Sequence, residues 1–144
     1  MEQRVKLTKV LGATETPTIG TADVKALIQV RDNEYMLIIG DLKTGRNKVC
    51  VESNDQLMLY ALGSLARLSK VYNIVSVRLV IFQPYCGGAS ASDVGLACID
   101  FAATRFYKAP PQAIEALRSG KKGLTSADFL PSVSRCKCCR HTQN

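Results

Sequence analysis

The order of apolar and polar positions predicts a sheet with one strand that is apolar on both faces. A short strand is predicted at Val5 to Val10 and a longer one at Ile19 to Val30, which polar residues interrupt. After a turn at 31–33, the segment Glu34 to Lys43 is typical of a central strand covered by helices. Ser76 to Gln83, rich in Val and Ile, is a further strand that ends before a proline.

The helical part of the pattern lies mainly in two regions. One helix is predicted from Ser53 to Lys70, with a buried stripe at three- and four-residue spacing: Leu57, Ala61, Leu65 and Leu68. A poorly defined strand is expected near Val94 to Ile99, followed by helical segments on either side of Pro110-Pro111, because a proline pair interrupts a helix. The fold class is therefore α/β, a single domain with a central mixed sheet flanked by helices.

Composition narrows the class of protein. The chain has 144 residues, 47% of them hydrophobic, which is enough for one compact core and unlike a disordered chain. Its apolar segments are too short to cross a bilayer, and residues 1–6 have no apolar stretch of signal-peptide type. We therefore expect a cytoplasmic protein. In that compartment the six cysteines are expected to be thiols or metal ligands.

The net charge of +7 is concentrated at one end of the chain. Residues 1–104 carry 11 basic and 10 acidic side chains, whereas residues 105–144 carry 8 and 2. We expect a main domain at 1–130 and a basic, cysteine-rich tail at 131–144. A basic segment favours polyanions, with DNA as the leading candidate. The residues predicted to contact phosphates nonspecifically are Arg118, Lys121, Lys122, Arg135, Lys137 and Arg140.

An acid and a base end the central strand. Alternation places Asp41 and Lys43 on one face. If a three-residue loop forms the preceding turn, Asp23 lies directly opposite Asp41, and the two carboxylates repel. A two-residue loop would instead pair Asp23 with Leu42 and send its side chain to the other face.

A divalent cation held by the two carboxylates would offset that repulsion. Lys43 beside it could orient an attacking water or stabilise charge on a phosphate. The set then has the composition of a phosphodiesterase site. The alternative is structural: Asp41 ends a strand at a turn and pairs with Lys43 or Lys25 at the surface.

Three segments together resemble the ordered motifs of PD-(D/E)XK nucleases, most closely the RecB-like branch found in phages and prophages. They are Gly20-Thr21-Ala22-Asp23, Asp41-Leu42-Lys43-Thr44-Gly45, and the stretch from Asn54 to Gly63. The resemblance implies that Asp23 and Asp41 bind Mg²⁺ or Mn²⁺ and that Lys43 helps to activate water. It also places the family's Gln-x-x-x-Tyr motif on Gln56 and Tyr60, and it extends over nearly the whole chain.

Gln56 and Tyr60 also have structural interpretations. They are four residues apart and share a helix face, which Gly63 and Arg67 extend and which could face the cleft. Ser53 with Gln56 fits a capping box, however, and Tyr60 could be a packed ring with a bonded hydroxyl.

Two departures from the family's pattern are visible. Members usually have a helical segment before the first strand that contributes an acid or His. Here Glu2 is the candidate substitute in a minimal version of the fold; the alternative is that a partner chain or second copy completes the cleft. Some relatives bind an iron-sulfur cluster through one upstream and three terminal cysteines. Cys136, Cys138 and Cys139 are the candidates here for a cluster or Zn²⁺, completed by His141 or by an upstream cysteine (Cys50, Cys86 or Cys98), against the alternative of a reduced basic tail.

The resulting hypothesis is a Mg²⁺-dependent DNA nuclease, a phage exonuclease acting on DNA ends by analogy with the family. The alternative is a non-catalytic DNA-binding or recombination accessory protein that retains the nuclease fold. An intact Asp23, Asp41 and Lys43 set argues for the enzyme.

Overall fold

The computed structural model describes residues 3–8, 11, 19–52 and 54–118, and of residues 108–118 it describes the backbone alone. Within these ranges the elements are β1 Gln3–Lys6, β2 Ile19–Ala22, β3 Val24–Arg31, β4 Glu34–Leu42, α1 Asp55–Leu68, β5 Ile74–Gln83, β6 Gly88–Val94 and α2 Leu96–Arg118. The chain divides into two units, residues 1–110 and 111–144. The first contains both sheets and α1, and the described part of the second is the end of α2.

The larger sheet is mixed and has the strand order β3-β4-β5-β6. β3 and β4 form an antiparallel hairpin, β4 and β5 are parallel, and β5 and β6 are antiparallel. The parallel pair requires a crossover, which α1 supplies between β4 and β5. The predicted α/β class with a mixed sheet is therefore confirmed.

The predicted strand at Ile19 to Val30 is two strands in two different sheets. β2 pairs with β1 in a separate two-stranded sheet, and β3 begins after a bend at Asp23. Apolar residues continue through this bend because both strands contribute to the core, so periodicity alone did not separate them. The strand expected from Val5 to Val10 ends at Lys6 within the described residues.

The hairpin combines the two alternatives considered for its register. The turn has two residues, because Arg31 pairs with Glu34, but a register shift between Gln29 and Arg31 adds one residue to β3. On the side of the shift away from the turn, the pairing is the one expected of a three-residue loop. There Val24 pairs with Gly40. Asp23 directly precedes Val24 at the bend, so the same register continued one residue beyond β3 would place it opposite Asp41.

α1 lies where it was predicted and packs its apolar stripe on the sheet. Leu57 and Ala61 are fully buried, and Leu65 and Leu68 pack against the same core. The centre of the core is formed by odd-numbered residues of β4 and β5 together with both helices, notably Leu37, Ile39, Leu79, Ile81 and Ile99, and residues of β1 and β2 join it. Gly63, which was expected to extend the polar face, is instead buried against β1, where an added Cβ would be 2.8 Å from the Lys6 carbonyl oxygen.

The opposite face of the sheet is apolar but much less covered. Val24, Ile28, Val30, Leu42 and Phe82 are each between 42% and 50% exposed. The expectation that helices cover both faces of the central strand is therefore wrong for the described residues, in which the buried positions of both helices join the odd-numbered face.

The region after β5 differs from the prediction. The strand expected near Val94 to Ile99 lies earlier, at Gly88–Val94, and α2 begins at Leu96. Small polar residues of low strand propensity form β6 because the edge of β5 provides backbone partners. Pro110 and Pro111 lie inside α2, so the expected division of this region into two helical segments is wrong, although each proline lacks the N–H that a helix interior uses. None of the described helices is long and apolar enough to cross a membrane.

Candidate functional site

Four side chains from β4 and α1 meet at the end of β4. They are Asp41, Lys43, Gln56 and Tyr60, hereafter the polar cluster. Asp41 belongs to β4, Lys43 follows that strand directly, and the other two lie in the first turns of α1. The structure thus brings together residues that the sequence places 13 to 15 positions apart.

Asp41 is the buried member of the polar cluster. It follows Leu37 and Ile39 on the buried face of β4 and is 9% exposed. Its Oδ2 lies 2.6 Å from Lys43 Nζ, an ion pair that lacks hydrogen-bond geometry, so Oδ2 accepts no hydrogen bond from the described residues. A buried carboxylate is costly unless it is paired, and here Lys43 supplies the opposite charge. The structural alternative is therefore confirmed in pairing Asp41 with Lys43, and wrong in placing Asp41 at the surface.

The Gln56 amide joins the other three members. Its Oε1 accepts a hydrogen bond from Lys43 Nζ at 2.8 Å, and its Nε2 donates to the Tyr60 hydroxyl at 3.1 Å. A longer contact of 3.5 Å runs from Nε2 to Asp41 Oδ1. One amide thus fixes the lysine on one side and the tyrosine on the other.

The capping-box interpretation of Gln56 is wrong. Asn54 is the N-cap of α1, and its side-chain oxygen accepts from the backbone N–H of Leu57 at 3.1 Å. Asparagine is among the best N-cap residues, so the helix start does not need the Gln56 side chain. That side chain is directed to Lys43 and Tyr60 instead.

Tyr60 is placed by a close approach to β2. A Cβ on Gly20 would lie 2.4 Å from Tyr60 Cε1, closer than real Cβ contacts. The ring therefore occupies space that any other residue at position 20 would take. Gly20 therefore has a steric role in the polar cluster. It leaves room for the half-buried Tyr60 ring, whose hydroxyl accepts a hydrogen bond from Gln56.

Asp23 lies beside the polar cluster at the bend between the two sheets. Its Oδ2 accepts a hydrogen bond from the backbone N–H of Leu42 at 2.7 Å, which attaches the bend to the residue after Asp41. The repulsion expected between Asp23 and Asp41 is thus countered by protein groups, namely this N–H and the Lys43 ammonium.

The donor set is compatible with Mg²⁺. This ion is commonly held by one or two carboxylates, with waters and phosphate oxygens completing the octahedron. Asp23 and Asp41 supply two carboxylates, and Asp41 Oδ2 is a buried acceptor without a hydrogen bond. The described residues contain no cluster of three or more His, Cys, Asp or Glu that could hold a metal.

Several predicted residues lie outside the described part of the chain. These are Glu2, Ser53, Lys121, Lys122, Arg135, Cys136, Lys137, Cys138, Cys139, Arg140 and His141. Arg118 is described for its backbone alone. The remaining cysteines, Cys50, Cys86 and Cys98, are free thiols.

Gln83 is a polar residue of this region that sequence reasoning did not single out. It ends β5 on the same face as Leu79 and Ile81 and is 3% exposed. The available signal was a polar side chain at the last core position of an apolar strand, immediately before Pro84. Its amide binds the loop that follows Lys43.

Comparison with known proteins gives a family without an assigned activity. Residues 1–142 match the family described as "Protein of unknown function (DUF2800)", and the chain belongs to this family. No solved structure matches the chain significantly.

Proposed function

We propose that this protein is a metal-dependent deoxyribonuclease of the PD-(D/E)XK type that hydrolyses phosphodiester bonds. Of the possible activities, we propose first an exonuclease that acts on DNA ends. The observation that supports it best is the polar cluster itself. Lys43 contacts both Asp41 and Gln56, at 2.6 and 2.8 Å, and Gln56 continues the contacts to Tyr60. These are the residues on which the D-x-K and Gln-x-x-x-Tyr motifs of those nucleases fall.

The arrangement of Asp41 and Lys43 suits a phosphoryl substrate. A buried carboxylate whose Oδ2 accepts no hydrogen bond from the described residues can hold a cation once the Lys43 ammonium moves off it, and that ammonium carries donors for a water or a phosphate oxygen. In this proposal Asp23 and Asp41 hold Mg²⁺ or Mn²⁺, which supplies Lewis-acid activation of the phosphate and of water.

The remaining members of the polar cluster would orient the groups around the reacting phosphate. Lys43 would donate a hydrogen bond to the nucleophilic water or to the developing charge, and Gln56 holds its ammonium at 2.8 Å. Gln56 and Tyr60 would position the DNA strand. Further groups could contribute to the site from outside the described residues. The candidates are Glu2, the basic side chains near the C-terminus, and a partner chain or second copy.

The test is incubation of the protein with linear and covalently closed circular DNA, in Mg²⁺ and in EDTA. Loss of linear DNA alone, in Mg²⁺ and not in EDTA, is the result expected of an exonuclease. Asp41→Asn and Lys43→Ala should each lower the rate by about 10² to 10³ or more, because each removes a metal ligand or a transition-state donor. The matched control is Arg31→Ala, at the other end of the β3–β4 hairpin.

Three outcomes would change the conclusion. Cleavage of circular DNA as well would indicate an endonuclease. Wild-type rates in Asp41→Asn or Lys43→Ala would mean that the polar cluster is not the site. No loss of either DNA in Mg²⁺ or Mn²⁺, together with measurable DNA binding, would favour the non-catalytic accessory protein.

A further inference from the structure

The loop after β4 is held at a defined position by the side chain of Gln83. The Gln83 Oε1 accepts a hydrogen bond from the backbone N–H of Val49 at 2.8 Å, and its Nε2 donates to the Asn47 carbonyl oxygen at 3.0 Å. A carbonyl acceptor and an N–H donor two residues apart are the groups that a strand presents to its partner. The amide of Gln83 therefore takes the place of a neighbouring strand for residues 47–49.

Two further contacts fix the same loop, residues 44–49. The Cys86 thiol lies 3.2 Å from the Arg46 carbonyl oxygen, as a weak donor. At the loop's end Val49 packs against the core, and Val51 is 1% exposed within it. The backbone of the 44–49 loop is thus attached at several points, while its side chains at positions 44 and 46–48 are exposed.

The exposed side chains of this loop include two cations. The charge of Lys48 lies close to Glu52 and, after the Cys50 thiol and a backbone N–H, helps to hold the pKa of Glu52 below its ordinary value. Neither the Lys48 ammonium nor the Arg46 guanidinium makes an ion pair or hydrogen bond with the described residues. Arg46 is the better candidate for an external phosphate, because a guanidinium can donate two parallel hydrogen bonds to it and because Arg46 is closer to Lys43 along the chain.

Arg46 is also close to the polar cluster along the chain. It follows Lys43 by three residues, and three residues span at most about 11 Å. Since the charges of one DNA strand recur about every 3.4 Å along the helix axis, this distance corresponds to about three nucleotides.

We propose that the 44–49 loop is a phosphate-contact element, in which Arg46 binds a DNA backbone phosphate within about three nucleotides of the reacting one and Gln83 is the positioning residue that holds the loop for this contact. The identity of the polyanion as DNA rests on the proposed function. The loop geometry does not depend on it.

The first test measures DNA binding against salt concentration. Binding of a short duplex is followed by fluorescence anisotropy in EDTA, so that no cleavage occurs. Arg46→Ala should flatten the log-log salt dependence by about 0.9, the value for one phosphate contact on B-DNA. Arg46→Lys should keep most of the slope, and Arg31→Ala, which removes the same charge at the hairpin turn, should leave it unchanged. Equal slopes for Arg46→Ala and the wild type, or an equal change in Arg31→Ala, would overturn the contact.

The second test asks whether Gln83 acts through Arg46. In a Gln83→Ala background, adding Arg46→Ala should change the salt slope much less than it does in the wild type, because the loop no longer holds the arginine in place. A purely structural role for Gln83 would lower the melting temperature but leave the effect of Arg46→Ala unaltered. Gln83→Glu, which keeps the acceptor for Val49 and loses the donor to Asn47, serves as the second variant.

A measurement on the wild type covers the case in which neither Gln83 variant folds. The Val49 amide proton should exchange slowly with solvent, since it is bonded to Gln83 Oε1. Exchange as fast as in an unstructured loop would overturn the positioning role. If the protein does not cleave DNA, the binding measurements still test the Arg46 contact. If Arg46→Ala has no effect on binding, the proposed roles of Asp41 and Lys43 are not affected.

Discussion

The two ends of β4 carry similar residues in very different surroundings. At the hairpin end, Arg31 and Glu34 are 3.9 Å apart, with 82% and 36% of their side chains exposed. At the other end, Lys43 and Asp41 are 2.6 Å apart, and Asp41 is buried. Exposed pairs contribute about 0 to 1 kcal/mol, whereas a buried carboxylate depends strongly on its partner.

The two ends of β4 meet different structural requirements. The hairpin end follows turn chemistry, in which Asn33 adopts φ of 56°, a conformation that asparagine tolerates better than most residues. The polar cluster end places an acid where an apolar residue would pack at less cost. Because a buried ion pair is weak evidence for stability, stability alone does not account for Asp41 and Lys43, which agrees with the function proposed for them.

The largest effect on stability is expected from separating the buried pair. Lys43→Met leaves Asp41 buried without its cation, and should lower the free energy of unfolding by about 1 to 3 kcal/mol. This value is below that of a fully buried pair because Lys43 is 29% exposed. Combining it with Asp41→Asn should restore most of the loss, since neither charge is then unpaired. Urea unfolding of the three variants measures this.

Arg31→Met is the control for that comparison, and should change the free energy of unfolding by less than about 0.5 kcal/mol. If Lys43→Met and Arg31→Met had the same effect, the two ends of β4 would not differ energetically. Additive losses in the double variant would mean that Asp41 does not depend on Lys43.

The sequence allowed much of this comparison to be predicted, for specific reasons. The apolar positions of β4 and the three- and four-residue spacing in α1 are strong periodic signals. Counting across the hairpin from a three-residue loop gives the pairing of Val24 with Gly40, but the structure reaches it through a two-residue turn and a register shift in β3, which the pattern does not indicate. The break at Asp23 was missed because both β2 and β3 are apolar, so their division between two sheets leaves no mark in the pattern. Gln83 was missed for a different reason: its partners are backbone atoms 34 to 36 residues away, which no local pattern reports.

A moderate effect is expected from adding a methyl group beside the polar cluster. In Gly20→Ala the new Cβ would overlap Tyr60 Cε1, so the ring must turn away. This movement breaks the hydrogen bond between the Tyr60 hydroxyl and Gln56. Overpacking typically costs about 1 to 3 kcal/mol, and the lower part of this range is expected because Tyr60 is half-buried and can move. Unfolding in urea measures the loss, and any nuclease rate should fall with it.

The matched control is Gly45→Ala, where nothing lies within 4 Å of the added Cβ. It should leave the free energy of unfolding within about 0.5 kcal/mol of the wild type. Loss of stability in Gly20→Ala without any change at the Tyr60 hydroxyl would limit the role of Gly20 to packing.

The smallest effect on stability is expected at an ion pair that is close but exposed, and it tests whether short distance or burial makes a pair important for stability. Arg78 and Asp93 are joined by two hydrogen bonds of 2.5 and 2.7 Å on the exposed side of the sheet, a closer contact than Arg31 and Glu34 but without the burial of Asp41. The hydrogen bonds from Arg78, aided by its charge, hold the pKa of Asp93 below its ordinary value. A carboxyl whose pKa is depressed on folding stabilises the protein above its unfolded pKa and loses this contribution as pH falls through the folded pKa.

Asp93→Asn should therefore lower the melting temperature slightly near neutral pH. The difference from the wild type should shrink as pH falls below about 4, the ordinary pKa of Asp, and disappear below the lowered pKa of the folded state. Thermal melts from pH 7 to pH 2 follow this difference. In an Arg78→Gln background the change with pH should be smaller, because the group that depresses the pKa of Asp93 is gone. A loss as large as that of Lys43→Met would show that close geometry, and not burial, is what distinguishes the two ends of β4.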